Sequence, residues 1–261
     1  MLIKARYARL ANAQAPRQEK AANAAARLRG LFGPSMRLWI DGAHDAIAVG
    51  NTAVRAFDRS GKGVSVQQLT VANRPLRSVV SGVAGWTFDG TDDRLDCTAV
   101  DLSSSNKATV FVVNRLATAG ATGILFDVGN NAAVNGGIQV FRYDASARFS
   151  ANSYSGAVFN ARYSASSAST WYCHAVTLDR SQVAALEVTL YQNGTTQAMT
   201  SLATNDLSAS FENRVASIGG WAASAATLNG QIAQVMVLTG ALTAAQVYDA
   251  SRLLMQLSGV A

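Results

Sequence analysis

Histidine, cysteine and formal charge are scarce in this sequence, and each scarcity excludes something. There are two histidines, His44 and His174, in 261 residues. They are too few and too far apart for a zinc site of ordinary ligand spacing, and a serine triad would need one of them as its base. The two cysteines, Cys97 and Cys173, cannot make a multi-bridge scaffold. Each sits among apolar residues and reads as a buried free thiol, with a single cross-strand disulfide as the alternative. No run of about 18 apolar residues occurs, so no membrane-spanning helix is expected. Lys4, Arg6 and Arg9 are followed by no apolar core run, so no secretory signal is expected there, although an Arg-rich, acid-poor start also has transit-peptide composition. Charged residues make up 15% of the chain, against an average of about 25%. Ala, Ser, Thr, Asn and Gly take their place, a surface chemistry that suits an extracellular or particle-bound protein.

What is present is a large apolar fraction and an uneven charge. Apolar residues reach 49%, and a chain of this length can bury roughly 70–75% of its unfolded surface. No disulfide or metal is needed to hold its core. Residues 1–37 carry Lys4, Arg6, Arg9, Arg17, Lys20, Arg27, Arg29 and Arg37 against the single acid Glu19, a net +7. The remainder has 14 bases and 15 acids, a net −1, so the overall +6 belongs to the N-terminus. That segment reads as a helical arm. Ala dominates from Ala21 to Ala26, Pro16 suits a first helical turn, and Gly30, Gly33 and Pro34 end it. An Ala-rich helix gains stability mainly by packing on something else. It is expected either as a solvated tail or as an arm docking an acidic neighbour. No aromatic interleaving or nucleic-acid motif accompanies it, which argues against nucleic acid.

From residue 38 the texture changes to short apolar runs between Gly, Asn, Asp and Ser clusters, the pattern of many short strands. Val110-Phe111-Val112-Val113 is apolar on both faces and predicts a strand covered on two sides. Residues 137–143 alternate and predict a half-buried strand. Asn193-Gly194 lies between two strand-like runs and predicts a tight hairpin turn with positive φ. One amphipathic helix is predicted over residues 243–257. Thr243 and Gln246 form a capping box, Val247, Ala250, Leu254 and Leu257 form its apolar stripe, and Gly259 stands past its end.

The order of these pieces resembles the laminin-G/concanavalin-A-like lectin superfamily. Ile218-Gly219-Gly220-Trp221, then Leu228-Asn229-Gly230-Gln231-Ile232-Ala233-Gln234-Val235, then Leu242-Thr243-Ala244-Ala245-Gln246-Val247 is similar to the closing pattern of that family. Trp171-Tyr172-Cys173-His174-Ala175-Val176 and Leu190-Tyr191-Gln192-Asn193-Gly194 resemble its central hairpin, and Phe88-Asp89-Gly90-Thr91-Asp92-Asp93-Arg94-Leu95 its opening strand. Leu38-Trp39-Ile40-Asp41, Phe57-Asp58-Arg59-Ser60-Gly61 and Ala72-Asn73-Arg74-Pro75 resemble the lead-in of bacteriophage virion proteins that carry this module. The resemblance spans about residues 38–258 and implies an all-β, antiparallel two-sheet jelly-roll sandwich. The expected organisation is a basic helical arm over 1–37 and a sandwich over 38–261 that includes the C-terminal helix.

Glycosidases of this fold place paired carboxylates about 5–5.5 Å apart when retaining, and the related glucanases carry Glu-x-Asp-x-x-Glu on one strand. Here the glutamates are Glu19, Glu187 and Glu212, and none stands in that pattern. Glu187 is expected on a solvent face, and adjacent Asp92 and Asp93, were they on a strand, would face opposite sides. His174 reads as a hydrogen-bonded structural histidine, and Cys173–His174 cannot pair as nucleophile and base from neighbouring strand positions. Asp89, Asp92, Asp93 and Asp96 are the densest acidic cluster and form either a calcium site or an ordinary turn. Glycan contacts would come from Trp221, expected exposed at the rim, and from Tyr154, Asn160 and Tyr163 in an expected loop over 152–169; packing at the core edge is the plainer reading of each.

These readings point to a non-enzymatic virion structural protein within an oligomeric assembly. Residues Lys4, Arg6, Arg9, Arg17, Lys20, Arg27 and Arg29 would dock it to neighbouring subunits. The alternative is a carbohydrate-binding adhesin for host surface glycans, secreted or at a cell surface. A glycan hydrolase fits least. No cofactor other than calcium and no membrane partner is expected.

Overall fold

The computed structural model describes residues 19–43, 46–118, 123–129, 136–143, 148–154, 158–164, 167–183, 186–199, 201–202, 210–221 and 226–260. A helix, α1, covers 19–32. The first strands are β1 (Met36–Asp41), β2 (Ala46–Val49), β3 (Thr52–Phe57), β4 (Ser65–Gln67), β5 (Leu76–Val80) and β6 (Val83–Asp89). Next come β7 (Leu95–Asp101), β8 (Lys107–Leu116), β9 (Gly123–Val128), β10 (Ile138–Tyr143), β11 (Arg148–Tyr154) and β12 (Val158–Ser164). The last are β13 (Trp171–Asp179), β14 (Val188–Gln192), β15 (Thr195–Thr196), β16 (Ser201–Leu202), β17 (Asn213–Ile218) and β18 (Asn229–Thr239), followed by α2 (Ala244–Ser258).

Two antiparallel layers result. In the first, β18 pairs with β8 on one side and with β1 and β6 in tandem on the other, and β8 continues through β13 and β14 to β15. The second runs β4–β7–β17–β9–β10–β11–β12–β16. Strand β3 pairs with both β4 and β5 and so joins the layers at one edge.

Alternation along the strands explains the layering. On β8, Ala108, Val110 and Val112 point into the core between the sheets, while Phe111 and Val113 point to the other face. That other face is buried too, because α1 and α2 lie on it. Ala24, Leu28 and Phe32 of α1, with Val247, Ala250 and Leu254 of α2, pack with Trp39, Phe111, Val113, Cys173 and Met236. The expected two-sided burial of residues 110–113 is thus explained by helices on one side and the second sheet on the other. The α2 prediction is met in detail. Thr243 Oγ1 accepts from Gln246 N at 3.3 Å, Gln246 Oε1 accepts from Thr243 N at 3.0 Å, and Gly259 ends the helix at φ 79°.

Several expectations need correction. Residue 37 is not a structural boundary, because α1 buries Leu28 and Phe32 against the sandwich and β1 already begins at Met36. A helix of alanines has little stripe to read, yet its small side chains let it lie close on the sheet. Residues 152–169 are not one loop. Tyr154 ends β11, and Asn160 and Tyr163 belong to β12; a Ser- and Ala-rich stretch hid the strand alternation. Over Ile138–Phe141, β10 is buried on both faces, with Gln139 and Phe141 as well as Ile138 and Val140 covered.

The lead-in residues act as clasps. The buried Asp41 carboxylate accepts from Arg59 Nη1 at 2.6 Å. Asp58 Oδ1 accepts from the Trp39 N–H at 3.0 Å. Arg74 donates to the carbonyls of Gln68 and Leu69, both at 2.9 Å.

Candidate functional site at the acidic rim

One end of the sandwich gathers the turn from β6 to β7, the loop after β17 and the start of β18. Asp89 pairs with Asn229 across β6 and β18. The chain then turns, and ligand-capable oxygens of Asp89, Asp92 and Asp93 come within 4.8 Å of one another. Asp92 and Asp93 therefore converge rather than facing opposite ways, because they lie in a turn and β7 starts only at Leu95. Asp89 Oδ1 accepts from the N–H groups of Thr91 (2.8 Å) and Asp92 (3.4 Å), and Asp93 Oδ2 accepts from Asp89 N at 3.1 Å. Burial, with Asp89 and Asp92 alongside, raises the Asp93 pKa to about 6. Asp96 does not join the set. Its carboxylate accepts from Arg94 Nε at 2.9 Å and from Gln68 Nε2 at 3.3 Å.

Trp221 belongs to this rim. Gly219 takes φ +83°, and its missing side chain leaves room for the Phe88 ring, which a Cβ would meet at 2.1 Å. Gly220 fits between Thr227 and the Asp93 carbonyl, where a Cβ would meet Thr227 Cγ2 at 3.0 Å and Asp93 O at 3.3 Å. The glycine pair thereby lays the Trp221 loop against the acidic turn. Trp221 is half-buried with its indole nitrogen covered, not the exposed aromatic expected.

The other glycan candidates do not join it. Between β17 and β12 stand β9, β10 and β11, a separation of about 19 Å at one strand spacing each. Tyr154 pairs with Val158 and Tyr163 with Phe149, so the two tyrosines sit toward opposite ends of the β11–β12 hairpin. Of the expected docking cations, Lys20, Arg27 and Arg29 lie on the exposed side of α1, with the Arg29 guanidinium 5.5 Å from the Trp39 ring centre. Lys4, Arg6, Arg9 and Arg17 lie outside the described residues.

Among the described residues, His174 and Glu187 are engaged structurally, while His44 lies outside them. His174 is buried, Nδ1 sits 2.7 Å from Asn114 Oδ1, and its ring stacks on Phe149 at 4.4 Å. Burial lowers its pKa to about 3. Glu187 is buried rather than solvent-facing, and it lies beside the buried Arg180, whose guanidinium is 3.9 Å from the Phe211 ring centre. Sequence reasoning missed a polar row. Ser217, Asp127, Gln139, Asn152 and Asn160 share one register level across β17, β9, β10, β11 and β12. Gln139 Nε2 donates to Asp127 Oδ2 at 3.2 Å. The alternation of residues 137–143 set Gln139 on one face with Phe141 but did not show its partner.

Residues 89–248 match the family described as the concanavalin A-like lectin/glucanases superfamily, in its Laminin_G_3 form. The chain belongs to that superfamily. Solved structures of the same fold are similar at low identity. Domain 4 of AbnA, an extracellular arabinanase from Geobacillus stearothermophilus solved with arabinotriose, aligns at TM-score 0.58 and 16% identity over 83% of this chain and 98% of that domain. The binding domain of botulinum neurotoxin serotype D aligns at TM-score 0.60 and 9% identity over 85% of this chain and 52% of the other. A Trypanosoma rangeli sialidase aligns at 0.55 and 11% over 85% and 33%. The chain thus spans all of the arabinanase domain but about half of the neurotoxin chain and a third of the sialidase chain. No curated protein sequence matches it. These superfamily neighbours include carbohydrate- and receptor-binding domains as well as a glycosidase.

Proposed function

We propose that the chain is a non-enzymatic structural protein of a virion, a decoration, fibre or tail component joined to neighbouring subunits through its basic N-terminal residues and presenting the sandwich outward. The observation that carries this reading is the placement of charge. The apolar side of α1 is locked on the sandwich while Lys20, Arg27 and Arg29 face solvent, and Lys4, Arg6, Arg9 and Arg17 precede them with no acid among the first 18 residues. The bacteriophage-like lead-in supports it. A chain with Arg6, Arg9 and Arg17 all changed to Glu is expected to fold normally and to be lost from assembled particles. Normal incorporation would sink the reading.

The second reading is recognition of carbohydrate at a host surface. It is favoured by the near-complete overlap with an arabinanase domain solved with arabinotriose, a likeness of fold. On this reading the acidic rim takes calcium, because Asp89, Asp92 and Asp93 offer the oxygen ligands that ion prefers, and the Gly219-Gly220 pair before Trp221 packs on the same turn. A glycan array probed with and without calcium is expected to show calcium-dependent binding that Asp93→Asn removes. A blank array in both conditions would end this reading and leave the first intact.

A further inference from the structure

We propose that the groove between α1, α2 and the β5–β6 turn is a docking site for an acidic, apolar-backed peptide segment of a partner protein. The proposal rests on the subunit-docking reading above and gives it a second contact. The groove holds about 1010 Å3. Its floor is apolar, from the α1 alanines across to Met255, Leu257 and Val260 at the end of α2. Among the described residues its charged lining is of one sign: Lys20, Arg59 and Arg252 border it, and none of the described lining residues is acidic. Arg59 is held by Asp41 beneath it, so the rim cations Lys20 and Arg252, both exposed, set the sign of the opening.

That combination selects the occupant. Carboxylates would meet the rim cations while aliphatic side chains cover the floor. The chain's own first 18 residues carry four bases and no acid, so they share the sign of the groove and do not complement it. A nucleic acid is a poorer match, because no aromatic residue is among the described residues that line the groove and could stack a base.

The test selects random peptides displayed on beads against the full chain. The expected consensus interleaves carboxylates with aliphatic residues. Its synthetic peptide, followed by fluorescence anisotropy, should bind less tightly as salt rises and lose about tenfold or more in affinity to Lys20→Glu/Arg252→Glu. Ala22→Trp, which fills the groove from the exposed wall of α1 without changing charge, should give a similar loss. Melting curves establish that each variant is folded. The groove is overturned by a failure to enrich, by a neutral or basic consensus, by affinity unchanged in both variants, or by preferential competition from oligothymidylate. Arg6→Glu/Arg9→Glu separates the two ideas: if only this variant loses the peptide, N-terminal docking stands and the groove falls.

Discussion

Asn193 grips Cys173 twice: its N–H donates to the Cys173 carbonyl at 2.8 Å, and its side-chain oxygen accepts from the Cys173 N–H at 2.9 Å. The turn that joins β14 to β15 is thereby tied to β13. Asn193 and Gly194 take φ values of 52° and 80°, which L-residues other than Asn reach at a cost. A Cβ on Gly194 would also meet the Tyr248 Cα of α2 at 2.8 Å. Asn193→Ala is expected to cost about 1–3 kcal/mol of stability, and Gly194→Ala at least as much, in urea unfolding. Unchanged midpoints for both would show that the hairpin is not coupled to the layer beneath it.

His174 makes the sandwich sensitive to acid. Its folded pKa of about 3 lies below the ordinary 6.5, because burial disfavours the imidazolium. As pH falls below 6.5 the unfolded chain binds a proton that the folded chain refuses. Stability is present in full above 6.5 and declines progressively toward pH 3. His174→Gln keeps an acceptor and donor near Asn114 and removes the titration. It should be somewhat less stable than the wild type at neutral pH and lose less stability between pH 6.5 and 4. A parallel decline in the two proteins would remove His174 from the explanation.

How much of this was legible depended on whether a residue's partner was near in sequence. The capping box of α2 and the Asn193-Gly194 turn are local, so spacing alone announced them. The run Val110–Val113 announced two-sided burial, but not that helices supplied one side. Strands β2 to β5 were not foreseen, because they are short and mix Ala, Ser and Arg with aliphatics, and β3 holds its place by pairing with β2, β4 and β5. The burial of Glu187 depends on Arg180 and the fold around it, and the convergence of Asp92 with Asp93 depends on how the turn from β6 to β7 is bent. In the rim, composition named the acidic residues, while the glycine pair that brings Trp221 to them acts through space.

Asp93 works in the opposite sense to His174. Its pKa is raised from 3.8 to about 6, chiefly by burial and then by Asp89. Between those values the folded chain holds the proton more tightly than the unfolded one, so its contribution to stability falls as pH rises from about 4 to 6. After allowance for solvent screening the change is roughly 1–2 kcal/mol. In chelator, Asp93→Asn is expected to raise the melting temperature at pH 7 and leave it nearly unchanged at pH 4. Added calcium should raise the wild-type value at pH 7 and not that of the variant. A variant less stable than wild type at pH 7 in chelator would contradict the repulsion inferred at the rim.

The thiols are shielded in different layers. Cys97 faces the core between the sheets, whereas Cys173 lies on the helix side of the first sheet. Both are free and buried. Burial pushes the Cys173 thiol up to about 12 and Cys97 still higher, so neither supplies thiolate at neutral pH. A thiol reagent should label neither in the native chain and both in urea, at a native rate limited by unfolding. Fast labelling of Cys173 alone would mean that the helical layer opens independently of the sandwich.

That layer is the point on which an N-terminal arm and an N-terminal part of the fold differ. Leu28 is fully buried, among Trp39, Phe111 and the apolar side of α2. Leu28→Ala should cost about 2–5 kcal/mol, because it opens a cavity between α1 and the first sheet. Arg27→Ala, one position away on the exposed side, should change stability by no more than about 0.5 kcal/mol. If α1 were a detachable arm, both substitutions would leave the unfolding midpoint of the sandwich alone. The packing of α1 requires that only the second does. Any loss of particle docking in an Arg27 variant would then be a surface effect, measurable on a chain whose fold is intact.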